Sequence, residues 1–318
     1  MPTTLKICEK PQCMELHTSA FPLSILNADD HFSDKWIIQN LIPVVFAKRF
    51  GDILTYDMPL FWFWDCFQFQ ISFHYPGKNV IKTIKNKIDE GFYVFLCVNE
   101  KYIPERKAYQ SYNYRHEILI YGYDENKKIF QTIAYNKNEV YVPQEINMDT
   151  IKIAFLKNKS EHFFKFYPIK IKPFYIFDTL NIEKIRKDIA DFLSPRKANK
   201  GYNALLLVEK KVRNEMRLYG HINLRCFRTI RDRAENFYIF QKYFDCDQEL
   251  KTLMENNKTV ASNLMMLVLK YNILQSPNLY QHILEKLRQQ REMEKEILKR
   301  LDSVCRTSCA DSKILLKK

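Results

Sequence analysis

The texture of the chain changes near residue 180, and this change limits the possible folds more than any other feature. Before it, apolar residues come in short continuous or alternating runs rich in aromatic and β-branched types; after it they recur every three or four residues. The first pattern suits buried strands mixed with helices, and the second suits helices that bury one face. The expected fold class is therefore α+β, with a helical C-terminal domain. At 318 residues and 46% hydrophobic content the chain can fill two cores and is too apolar for general disorder. Without an internal repeat or low-complexity linker, the expected division is a first domain over 1–178, a helical domain over 179–304 and a basic tail over 305–318.

In the first half, residues 36–46 read as one amphipathic helix ended or kinked at Pro43. Residues 80–90 carry Ile81, Ile84 and Ile88 at helical spacing, and Gly91 stops the helix before the strand-like run 92–98. The segments 117–123 and 129–135 flank a polar turn and predict an antiparallel hairpin. Residues 150–156 read as a further strand, and the aromatic stretch 163–177 completes the β-rich part. In the second half, Ile182, Ile185, Ile189 and Phe192 share a helix face that ends at Ser194-Pro195, and helices follow at 222–244, 247–270 and 277–303.

A net charge of +13 draws acidic partners, but no zinc-finger spacing, aromatic RNA-binding consensus or Gly-rich phosphate loop accompanies it, which makes nucleic acid a minor reading. The N-terminus lacks the apolar core of a signal peptide, and no window approaches the roughly 18 apolar residues of a membrane span, so a cytoplasmic protein is expected. The eight cysteines contain no CxxC pair, so no metal site or redox pair is expected. His17, His74 and His162 lack ligand spacing to neighbouring acids, and Phe61-Trp62-Phe63-Trp64-Asp65-Cys66 reads as buried aromatic core or as the lining of an acyl pocket. Cys305 and Cys309, four apart near a helix end, are expected to have no essential role.

A thiolate nucleophile needs a base and a field that favours its charge, often a helix N-terminus. Cys13 has such a position: Pro11 suits a first helical turn, and 13–17 continue it until Pro22 breaks or kinks it. The alternative is a small buried hydrophobe. His116 opens the strand at 117–123, where a histidine serves either as a general base or as a structural group. In the hairpin the constant index sum sets His116 against Asn136, whose side-chain oxygen can orient an imidazole; a register slip would substitute Ala134 or Asn138.

Tyr102-Ile103-Pro104, Tyr109 and the run His116-Glu117-Ile118-Leu119-Ile120-Tyr121-Gly122-Tyr123-Asp124 together resemble a motif of bacterial papain-like proteins of antibiotic biosynthesis. These include acyltransferases similar to the butirosin-pathway enzyme and an amide synthetase of the closthioamide pathway. The resemblance is tightest over 99–124 and looser over 10–98. It implies a papain-like N-terminal half in which Cys13 is the nucleophile and His116 the base. The third, acidic position would fall between Ala134 and Asn136, where this sequence has no Asp, leaving Asn136 or a dyad. Papain-like peptidases carry a glutamine several residues before the cysteine, whereas position 7 is Ile and Gln12 is adjacent. The implied reaction is transfer of an acyl group from a thioester on an acidic carrier protein to a small amine. It needs no cofactor beyond the carrier's phosphopantetheine arm. The alternatives are a cysteine peptidase and a non-catalytic scaffold that binds carrier proteins.

Overall fold

The computed structural model describes residues 3–14, 17–28, 33–47, 52–57, 66–70, 77–158, 166–172 and 180–315. The expectations for 61–65, His74 and His162 lie outside the described residues. In chain order the elements are β1 (Thr3–Thr4), α1 (His17–Leu26), α2 (Ser33–Asn40), β2 (Val44–Ala47), β3 (Ile53–Tyr56) and β4 (Phe67–Phe69). Then come α3 (Val80–Asp89), β5 (Tyr93–Asn99), β6 (Arg115–Asp124), β7 (Ile129–Tyr135), β8 (Tyr141–Asn147), α4 (Met148–Leu156) and β9 (Phe166–Ile171). The helices α5 (Ile182–Leu193), α6 (Gly201–Tyr219), α7 (Arg225–Ile239), α8 (Gln248–Leu274) and α9 (Pro277–Leu315) complete the chain. It is a mixed α+β protein with an antiparallel sheet and a helical C-terminal region. No helix among the described residues is long and apolar enough to cross a membrane.

Two compact units divide the chain, and the division is discontinuous: residues 1–31 with 60–176, and residues 32–59 with 177–318. In the first unit the strand order is β4-β9-β5-β6-β7-β8. Beyond Ile120, where β5 leaves β6, β1 takes its place, pairing Thr4 with Gly122 and Thr3 with Tyr123. The central strand β5 places Val94, Leu96 and Val98 in the core, as its continuous apolar run requires. Helix α1 is buried at every described side chain from Ser19 to Leu26. Its Phe21 packs edge-to-face on Phe95 of β5, with centroids 5.1 Å apart. Pro22 therefore lies inside a helix instead of ending one. Burial all round compensates for the single backbone hydrogen bond that the proline removes.

Two expected elements change type. Residues 150–156 are the helix α4, not a strand. The Asn147 side chain accepts from the Asp149 amide at 2.9 Å, and Met148, Ile151, Ala154 and Phe155 are buried at helical spacing. The strand is instead the preceding segment β8, at the sheet edge, where Pro143 costs no ladder bond.

In the second unit, the expected single helix over 36–46 is α2 followed by the β2–β3 hairpin. Pro43 pushes Ile42 toward an extended backbone. The freed carbonyls of Leu41 and Ile42 accept from Arg233 Nη1 at 3.1 and 2.8 Å. Arg233 and its partner Glu294 are both wholly buried, with Nε to Oε1 at 2.9 Å, and the guanidinium lies between the rings of Phe192 and Phe237. A buried arginine with this many partners fixes where α2 must stop. Of the segment 305–318, residues up to Leu315 continue α9, and Cys305 is buried.

Candidate functional site

Several ionisable side chains of the first unit, His17, Glu100, His116 and Glu117, meet where β6 begins. The β6–β7 ladder ends at Leu119↔Ile133, so His116 and Glu117 lie past it, beside the first turn of α1. Here the His17 and His116 rings meet edge-to-face with centroids 4.8 Å apart. His17 Nε2 is 3.0 Å from Glu117 Oε2. One ligand atom from each of His17, His116 and Glu117 lies within 4.8 Å of the others, and all three residues are half-buried. His17 lacks an acid at ligand spacing along the chain, but its partners come from a strand about 100 residues away, which local spacing cannot reveal.

The ladder register, carried three residues past its end, would set His116 against Asn136, but the strands have separated by then. Asn136 is not the orienting group. Its side-chain oxygen accepts from the amides of Asn138 at 2.9 Å and Val140 at 3.0 Å, closing the turn into β8. The partner of His116 is Glu100, whose Oε1 lies 3.2 Å from Nδ1. Glu100 stands in the short 3-10 turn Glu100–Tyr102 that caps β5, and only 4% of its surface is exposed. Asn99 starts this turn by accepting from the Lys101 amide, and the Glu100 amide donates to Tyr114 O at 2.8 Å. The sequence reading missed this acid although a signal was present: β5 pairs with β6, with Val98 opposite His116, so a carboxylate two residues on lies beside that ring.

Behind Glu100 stands Arg106, 2% exposed, with Nη1 donating to the Tyr135 carbonyl. Its Nε and Nη2 have no hydrogen-bond partner. Burial lowers the guanidinium to about 10, and the Glu100 charge works in the opposite direction. Burial pushes the Glu117 carboxyl up, but the His17 hydrogen bond and the charges of His17 and His116 outweigh it and hold the group at about 2. The site thus holds a buried carboxylate, Glu100, against the His116 imidazole, with the buried Arg106 guanidinium within its Coulombic reach.

Cys13 lies just before α1, in irregular backbone and not within a helix, and its side chain is fully buried. The segment that carries it is tied to the same corner: the Tyr135 hydroxyl donates to the Met14 carbonyl at 2.6 Å, and the Tyr135 ring stands 6.4 Å from that of His116. The Cys13 thiol is not among the atoms gathered around His17, His116 and Glu117. The side-chain oxygen of Gln12 accepts from Asn27 Nδ2.

The run Tyr121-Gly122-Tyr123-Asp124 has structural duties. A Cβ on Gly122 would stand 2.8 Å from the Thr3 carbonyl, so only glycine lets β1 approach. Tyr123 donates to Asp89 at 2.8 Å, and Asp124 accepts from the Asn126 and Lys127 amides to form the hairpin turn. No family model matches this chain, and no curated protein matches it.

Proposed function

We propose that the chain is a cysteine-dependent acyltransferase of papain-like layout that forms amides from carrier-bound thioesters. Cys13 is the nucleophile and His116 the base, with Glu100 taking the orienting place first expected of Asn136. The observation that carries this reading is the buried Glu100 on His116 Nδ1, at a corner to which Tyr135 also ties the Cys13 segment. His116 takes the Cys13 proton, and the thiolate attacks the thioester carbonyl. The C–S bond to the pantetheine arm breaks, and the departing thiolate recovers that proton. The incoming amine then attacks the acyl-enzyme, gives a proton to His116, and leaves as an amide while Cys13 is regenerated as a thiol. A net charge of +13 favours encounter with an acidic carrier.

The test is incubation with acyl-loaded carrier protein followed by intact mass and peptide mapping. The expected result is an adduct on Cys13 that an added amine discharges, absent in Cys13→Ala and His116→Ala. An adduct on another cysteine, or none with any loaded carrier, overturns the proposal. One observation favours a second reading, a non-catalytic carrier-binding scaffold: the Cys13 side chain is wholly buried. In that case carrier binding persists, sensitive to salt, with no covalent intermediate.

A further inference from the structure

We propose that His17, His116 and Glu117 form a binding site for a divalent transition-metal ion of the zinc class. Two imidazoles and one carboxylate are a borderline-soft donor set that suits such ions and leaves a coordination position open. The ligand atoms of a tetrahedral zinc, at about 2.0–2.1 Å from the metal, stand roughly 3.4 Å from one another. The cluster brackets that spacing, with His17 Nε2 and Glu117 Oε2 at 3.0 Å and all three ligand atoms within 4.8 Å of one another. Only small side-chain adjustments are needed to admit an ion, and the three residues are half-buried, so an ion can reach them.

A second observation is independent of the cluster. Glu100, buried, holds His116 at Nδ1, which is the outer carboxylate–histidine contact that fixes ring orientation and raises the basicity of a metal-binding imidazole. Nε2 is then the nitrogen left to take the metal. Binding here does not depend on acyl transfer. On the acyltransferase reading it has a consequence: His116 cannot hold a metal and serve as base to Cys13 at once, so the loaded protein is silent.

The experiment titrates the full-length, reduced protein with Co(II), reading visible d–d absorption, and with Zn(II) by calorimetry. One equivalent should bind with a tetrahedral cobalt spectrum lacking thiolate charge transfer. His17→Ala and Glu117→Gln, checked for folding by circular dichroism, should each lose most of the affinity. Glu100→Gln should weaken binding about 10–100-fold, and Cys13→Ala should leave it unchanged. No stoichiometric binding, binding indifferent to His17→Ala, or a thiolate band abolished by Cys13→Ala would each overturn the site. None of these outcomes bears on whether Cys13 becomes acylated.

Discussion

Glu100→Gln tests this arrangement of Glu100, His116 and Arg106 most directly, because the substitution keeps shape and one acceptor oxygen while removing the charge. Two losses are expected, and they separate. The first is stability. Arg106 is lowered from 12.5 to about 10 even with Glu100 beside it. At ~1.4 kcal/mol per unit, that is a residual burial penalty of about 3 kcal/mol. That penalty is already present in the native protein; removing the Glu100 charge takes away the Coulombic interaction that offsets it, for a cost on the order of 2 kcal/mol. The second loss is orientation of His116. An amide in place of the carboxylate can present its N–H to the ring and favour the wrong tautomer, so acylation of Cys13 should slow by roughly 10³–10⁴-fold. The double variant Glu100→Gln/Arg106→Met distinguishes the two. It should recover on the order of 2 kcal/mol relative to the sum of the single losses, measured by urea unfolding, while the acylation rate stays low. Wild-type acylation in Glu100→Gln would remove Glu100 from the mechanism, and additive losses in the double variant would refute its electrostatic coupling to Arg106.

On the acyltransferase reading, alkylation by iodoacetamide at about pH 8 should label Cys13 ahead of the half-buried Cys8 and Cys97, because that reading requires an activated thiolate; labelling of Cys8 first would remove the nucleophile assignment. Cys226 should stay unmodified, since burial pushes its thiol to about 11 and leaves about 10⁻³ as thiolate at that pH. Gly122→Ala should destabilise the first unit by about 1–3 kcal/mol through the clash with Thr3, read in urea melts, and an unperturbed melt would sink the close-approach account. Burial pushes Glu209 up, but hydrogen bonds from Arg288, Arg213 and Arg291 depress it from 4.5 to about 2. Its contribution is therefore present above pH 4.5 and lost as pH falls toward 2. Glu209→Gln should flatten stability across that window by about 1–2 kcal/mol, discounted for the exposure of Arg288 and Arg213. An unchanged acid profile would exclude Glu209 as the titrating group.

What the sequence could reveal depended on whether the deciding interaction was local. Helix α3, strands β5 to β7 and helix α5 were legible because each carries its own periodicity and punctuation, such as the Ile84–Ile88 face ended at Gly91. Residues 36–46 misled because the helix ends on Arg233, a partner about 190 residues away that no local pattern announces. Residues 150–156 misled for a local reason: their apolar positions suit either period, and the Asn147 cap decides in favour of helix. The site divides in the same way. His116 is readable as a polar residue at the mouth of an apolar strand, whereas the hairpin directs attention to a partner on β7 alone. The register shifts by one residue at a bulge between Ile120 and Gly122, the ladder ends at Leu119↔Ile133 before Asn136 is reached, and the carboxylate comes instead from Glu100, just past the end of the other neighbouring strand. A short turn sets the register beside it, but neither past a bulge nor for how far the pairing persists, so an orienting group must be sought on both neighbours of the strand that bears the base. Applied here, that search finds Glu100 on the β5 side and only a turn-forming amide on the β7 side.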